Sequence, residues 1–97
     1  MDRRRRLRWN PNNVGHILWH EVRTNEVQEV VGGDPVARPT YGGRIAITGL
    51  TAAGRPLTVV LEPADIGDDS FYYVVTARPA SRRERARYRA EKGDQVP

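Results

Sequence analysis

The spacing of apolar residues changes near the middle of the chain, and that change divides the fold. In the first third the spacing is helical. Val14, Ile17 and Leu18 stand at i, i+3 and i+4, a stripe that predicts a helix reaching about His20. Asn10 is its expected N-cap, and Pro11 occupies the first helical position, where a missing N–H is harmless. Val27, Val30 and Val31 form a second stripe, with Thr24 as the expected N-cap and Glu26 favourably placed in the first turn. Gly32-Gly33 and then Asp34-Pro35 end that helix.

Beyond Pro35 the period is two. Val36 to Arg38 reads as a short edge strand before Pro39. Arg44 to Leu50 reads as a strand with Ile45 and Ile47 on one side and Arg44, Ala46 and Thr48 on the other. Thr51 to Gly54 makes a turn into a return strand, Arg55 to Glu62, whose Leu57, Val59 and Leu61 share a face. Pro63 to Ser70, rich in Asp and Gly, reads as a loop. Phe71 to Arg78 is aromatic and β-branched, suits a packed pleated surface, and stops at Pro79. Leu7-Arg8-Trp9 has the composition of one more short strand. Ser81 and Glu84 have capping-box spacing, so a helix begins at Arg82 and carries Arg82, Arg83, Arg85, Arg87, Arg89 and Lys92.

These elements predict an α+β fold: two short N-terminal helices, a three- to four-stranded antiparallel sheet and a C-terminal arginine-rich helix, the helices covering one sheet face. Residues 1–6 read as a flexible basic arm, 7–91 as the domain and 92–97 as a disordered tail.

Charge sharpens this picture. The net charge of +4 over 97 residues hides a split. Residues 1–8 hold five arginines against Asp2, and residues 78–97 hold six arginines and Lys92 against three acids. The segment between them holds four arginines against eight acids. Positive charge gathered at two end segments is the field that nucleic acid selects. The same run also reads as a solvated helix face, or as a surface for an acidic protein or membrane. There are no cysteines, which removes disulfides, thiolate zinc sites and cysteine nucleophiles. No apolar run approaches the roughly 20 residues of a membrane span, and the basic start has no apolar stretch behind it, so a cytoplasmic protein is expected.

A set of ordered pieces resembles the BrnT family of bacterial toxins, ribonucleases of type II toxin–antitoxin pairs with a RelE-like fold. The pieces are Trp9-Asn10-Pro11, His20, Glu26, Gly32-Gly33-Asp34-Pro35, Arg44 opening a strand that ends in Gly49, and Gly54-Arg55-Pro56-Leu57-Thr58-Val59-Val60. Thr76-Ala77-Arg78, Ala80-Ser81-Arg82-Arg83-Glu84-Arg85 and Tyr88 complete the set, which spans about residues 7–91. The resemblance implies an endoribonuclease that needs no metal or other cofactor, neutralised by a BrnA-like antitoxin, with operator DNA bound through the antitoxin complex.

Cleaving RNA without a metal requires deprotonating a 2′-OH, stabilising a phosphorane and protonating the leaving 5′-oxygen. Arg44 and Arg78 are the candidates for the middle task, because a planar guanidinium stays charged and grips oxygens two at a time. His20 and Glu26 are acid–base candidates, each also readable as a helix-end residue. Tyr88 is a candidate proton donor or base stacker, or a ring that docks its helix. Arg55, Arg82, Arg83, Arg85 and Arg89 are candidates for RNA phosphates. His16 and His20 stand at i, i+4, but no third ligand accompanies them and no zinc is assigned. Two other classes remain open: a non-catalytic binder that represses its operon, and an interaction module with a basic face.

Deleting residues 2–6 is expected to weaken binding to single-stranded RNA and flatten the dependence of log affinity on log salt, because fewer counterions are released. Titrations over a salt series check this; an unchanged slope and affinity exclude the arm from binding.

Overall fold

The computed structural model describes residues 6–9, 11–65 and 68–93. Of the arm expected at 1–6 and the tail expected at 92–97, residues 1–5 and 94–97 lie outside the described residues, as does the Asn10 cap, whereas Arg6 belongs to a strand and Lys92 to a helix. The described elements are β1 (Arg6–Arg8), α1 (Pro11–Trp19), α2 (Thr24–Gly32), β2 (Val36–Pro39), β3 (Ile45–Leu50), β4 (Pro56–Asp65), β5 (Asp68–Pro79) and α3 (Arg82–Lys92).

The fold is α+β, but its sheet has five strands and is mixed, in the order β1-β5-β4-β3-β2. The expectation of three or four antiparallel strands is therefore corrected at one edge. There β1 lies parallel to β5, with Arg6, Leu7 and Arg8 opposite Phe71, Tyr72 and Tyr73. Three residues are too few to show a period, and this pairing spans most of the chain. The second correction concerns the loop expected at 63–70, whose described residues, 63–65 and 68–70, belong to β4 and β5. Their Asp and Pro content weakens the local signal, but a ladder to the facing strand carries them, with Pro63 opposite Tyr72 and Asp65 opposite Asp68.

One sheet face is apolar. Ile47, Leu57, Val59, Leu61, Val74 and Ala77 meet Ile17 of α1 and Val27, Val30 and Val31 of α2, all buried. Leu18 is not in that core. It is 55% exposed, because α1 turns only a narrow stripe towards β5, and Val22 from the α1–α2 link fills the core in its stead. Gly49 permits the close seat of α2: a Cβ there would lie 3.1 Å from Pro35 Cβ and 3.3 Å from Val30 Cγ1. The N-cap residue of α2 is Arg23 rather than Thr24, and the Glu26 carboxylate accepts its N–H at 3.0 Å.

The third correction is the place of α3. The first two helices cover the apolar face, whereas α3 crosses one end of the opposite face. Its inward residues are Glu84 and Tyr88; the Glu84 carboxylate cannot pack on an apolar surface but suits the buried hydroxyls of Thr48 and Thr58. Those two threonines face each other across β3 and β4 with their oxygens 2.8 Å apart.

Thr58→Val keeps the volume yet leaves the Thr48 hydroxyl buried without this partner. It is expected to cost about 1–3 kcal/mol. Urea denaturation of Thr58→Val, Thr48→Val and the double variant checks this, the double costing less than the two singles combined.

Candidate nucleic-acid interface

The sheet face not covered by α1 and α2 is basic and aromatic. Register places Arg8 beside Tyr73 and Tyr73 beside Glu62. Glu62 in turn pairs with Arg44 at 3.5 Å, so a row Arg8, Tyr73, Glu62, Arg44 runs across β1, β5 and β4 to the residue before β3. One pair further along β1 and β5, the guanidinium of Arg8 stands 4.4 Å and that of Arg6 5.6 Å from the centre of the Phe71 ring. Alternation gives Arg6, Arg8, Phe71 and Tyr73 one side, while Leu7 and Tyr72 turn into the core. At the end of this row Asn12, His16, Arg44, Glu62, Tyr73, Val74 and Val75 line a shallow cleft of about 360 Å³. Tyr41, in the turn just before Arg44, is 90% exposed.

The opposite end of the same face is organised by Glu84. Its carboxylate is buried and takes two hydrogen bonds from Arg78, at 2.7 and 2.9 Å. It accepts the Ser81 N–H at 2.8 Å, and Arg38 Nη2 approaches to 3.5 Å. Thr58, whose hydroxyl oxygen lies 2.8 Å from that of Thr48, adds to the polar surroundings of this carboxylate. The Arg78 hydrogen bonds above all, then the Ser81 N–H and Thr58, hold the Glu84 carboxyl down to about 2 against the opposing effect of burial.

Arg44 and Arg78 therefore share a sheet face but not a site. Arg44 stands four residues before Thr48, which marks the row of Arg78, about 13 Å along the strand direction. Glu26 and Arg55 are joined elsewhere: Arg55 Nη1 lies 3.1 and 3.2 Å from the two Glu26 oxygens and donates to the Glu21 carbonyl at 2.9 Å. The Arg23 N–H, with Arg55 adding to it, holds the Glu26 carboxyl below its ordinary range, burial opposing. The pair clamps the α1–α2 corner, where Glu21 adopts a left-handed φ of 59°, to the β3–β4 turn. His20 follows α1 with its ring 5.4 Å from that of His16, edge on. Tyr88 sits under α3 beside Thr48, Leu50 and Arg85. Arg85 donates to the Ala80 carbonyl at 2.8 Å. Arg82, Arg83 and Arg89 are exposed and make no ion pair with a described residue. Among the described residues no three His, Asp or Glu side chains gather as a metal-ligand set.

Neither protein-family models nor curated proteins give a match to the chain. The interface therefore rests on its own geometry. Sequence reasoning passed over Arg38, Glu62, Phe71 and Tyr73 as members of this face, and took His16 only as half of a metal pair. The alternation of Tyr73 with Tyr72 was a usable signal; the row from Arg8 to Arg44 was not, because it needs the register of three strands and the turn before β3.

The Glu84 carboxylate is ionised in the folded state well below its ordinary value of 4.5. Its contribution to stability is thus complete above about pH 4.5 and fades as pH falls towards about 2. Thermal melts across this window are expected to show that loss for the wild type and a flatter acid limb for Glu84→Gln. At neutral pH Arg78→Ala is expected to cost about 2–3 kcal/mol, since it strands a buried carboxylate.

Proposed function

We propose that this chain is an RNA-directed toxin of the BrnT kind, a cytoplasmic, metal-independent endoribonuclease that grips single-stranded RNA on the open sheet face and is neutralised by a BrnA-like antitoxin. The observation that carries the RNA reading is the row Arg8, Tyr73, Glu62, Arg44, with Arg6 and Phe71 beside it. Fixed guanidiniums suit phosphates, and the exposed ring of Tyr73 between them suits an unstacked base, the pairing that single-stranded RNA calls for. The outward arginines of α3, Arg82, Arg83, Arg87 and Arg89, widen the positive field beside that face. The ordered motif resemblance supports the toxin reading, including the RelE-like form of the fold. Among the described residues no helix is long and apolar enough to cross a membrane.

A non-catalytic binder, acting with a partner as an operon repressor, is the second reading. It is favoured by one observation: Glu26 and Arg78, both candidates for chemistry, are engaged by Arg55 and Glu84.

Arg44→Ala separates function from stability. Its ion pair with Glu62 is about half exposed on both sides, so its loss should cost less than about 1 kcal/mol. If Arg44 holds a phosphate, the variant binds RNA more weakly with a salt slope lower by about one, and loses cleavage and growth arrest. Salt-series binding, cleavage of a defined RNA and induced expression in a bacterial host are the measurements. Wild-type behaviour in all three would remove Arg44 from the interface.

A further inference from the structure

The cleft at the start of β3 holds groups that sequence motifs left unassigned. Glu62 reaches it from β4, Arg44 from the turn before β3, Tyr73 from β5, and His16 and Asn12 from α1. Four separate segments thus converge on one opening. Unlike Glu84, the carboxylate of Glu62 is 44% exposed, and Arg44 Nε approaches it no nearer than 3.5 Å. His16 is exposed on α1, its ring 5.4 Å from that of His20 in an edge-on arrangement. An accessible carboxylate, an exposed imidazole and an arginine that line one opening are the groups a metal-free phosphodiester cleavage needs.

We infer that the cleft between Arg44, Glu62 and His16 is the catalytic centre for RNA, with Glu62 as general base and His16 as general acid. This rests on the RNA-cleavage reading and deepens it. Arg44 holds the non-bridging oxygens of the scissile phosphate. Glu62 takes the proton of the adjacent 2′-OH, and the 2′-oxygen forms a bond to phosphorus. As the bond from phosphorus to the 5′-oxygen breaks, His16 delivers a proton to that oxygen. The products are a 2′,3′-cyclic phosphate and a 5′-OH end. The proton gained by Glu62 and the one lost by His16 exchange with water, so no co-reactant is consumed. Tyr73, 38% exposed at the rim, presents its ring to the neighbouring base.

The decisive experiment is single-turnover cleavage of one RNA oligomer by wild type, Glu62→Gln and His16→Gln, with binding of a 2′-O-methyl copy measured alongside. Each substitution is expected to slow cleavage by about 10²–10³-fold, the range for loss of a positioned acid or base, while the uncleavable copy binds within about twofold of wild type. The wild-type product should end in a 2′,3′-cyclic phosphate, and a single 2′-deoxy substitution at the cleaved position should block the reaction. Both side chains are at least partly exposed, so neither change should move Tm, and His16→Ala gives a second reading of the same position. Cleavage at the wild-type rate by Glu62→Gln or His16→Gln overturns the assignment and leaves RNA cleavage to be explained elsewhere on the face. A wild type that binds RNA and never cuts it overturns the cleavage reading itself, and one that does not bind RNA removes the interface as well.

Discussion

One buried carboxylate decides how this chain can be arranged. Glu84 is removed from water, so it must be surrounded by donors or give up its charge. It finds them on three strands and on its own helix cap: Arg38 on β2, Thr58 on β4, Arg78 on β5 and the Ser81 N–H. Those donors fix where α3 can lie. A helix whose inward face is Glu84 and Tyr88 has little apolar area to bury, and its place depends on this polar clasp together with the Lys92–Asp34 pair at 2.8 Å. The clasp also spares the outer sheet face from being covered, because it holds α3 across one end.

The arginines divide accordingly. Arg55 is spent on a corner, joining Glu26 and the Glu21 carbonyl. Arg78 and Arg38 are shared, since their side chains are 38% and 42% exposed while one carboxylate faces both. A guanidinium has five N–H donors, and a bidentate pair uses two, so Arg78 keeps donors for a phosphate even while it holds Glu84. The exposed arginines of α3 act as a field more than as contacts. Flexible cations on a helix surface raise the local concentration of a polyanion, whereas side chains fixed in a sheet set its path.

The sequence disclosed the parts of the fold that local chemistry controls. The capping box at Ser81 and Glu84, the valine stripe of α2 and the alternation of β3 are each written within a dozen residues, and each appears in the structure at the expected place. Long-range pairing was not legible. β1 is three residues long and joins a strand more than sixty residues away, and the far ends of β4 and β5 depend on each other against their own composition. The side taken by α3 was also hidden, for its neighbours Thr48 and Thr58 look like ordinary outward residues of a meander until the buried hydroxyl pair is seen. For the site, residue type was legible and company was not. Arg44 and Arg78 are on the same face, but Arg78 stands with Glu84 and Arg44 with Glu62, and only the register reveals which acid each has met.

The two acids explain why one end of the face suits structure and the other suits chemistry. Glu84 has every lone pair occupied and a carboxyl held near 2, so it can neither accept a proton at neutral pH nor turn towards a ligand. Glu62 shares its arginine loosely and in water, where an ion pair costs little to open. On the proposed reading, a phosphate at Arg44 would offer that guanidinium a better partner than a carboxylate 3.5 Å away, and the exchange would free Glu62 as the RNA docks. At Arg78 the same exchange would strand a buried charge and loosen α3, so an incoming phosphate must use the donors that Glu84 leaves over. The face is thus rigid where its helix is anchored and adjustable where its cleft is open.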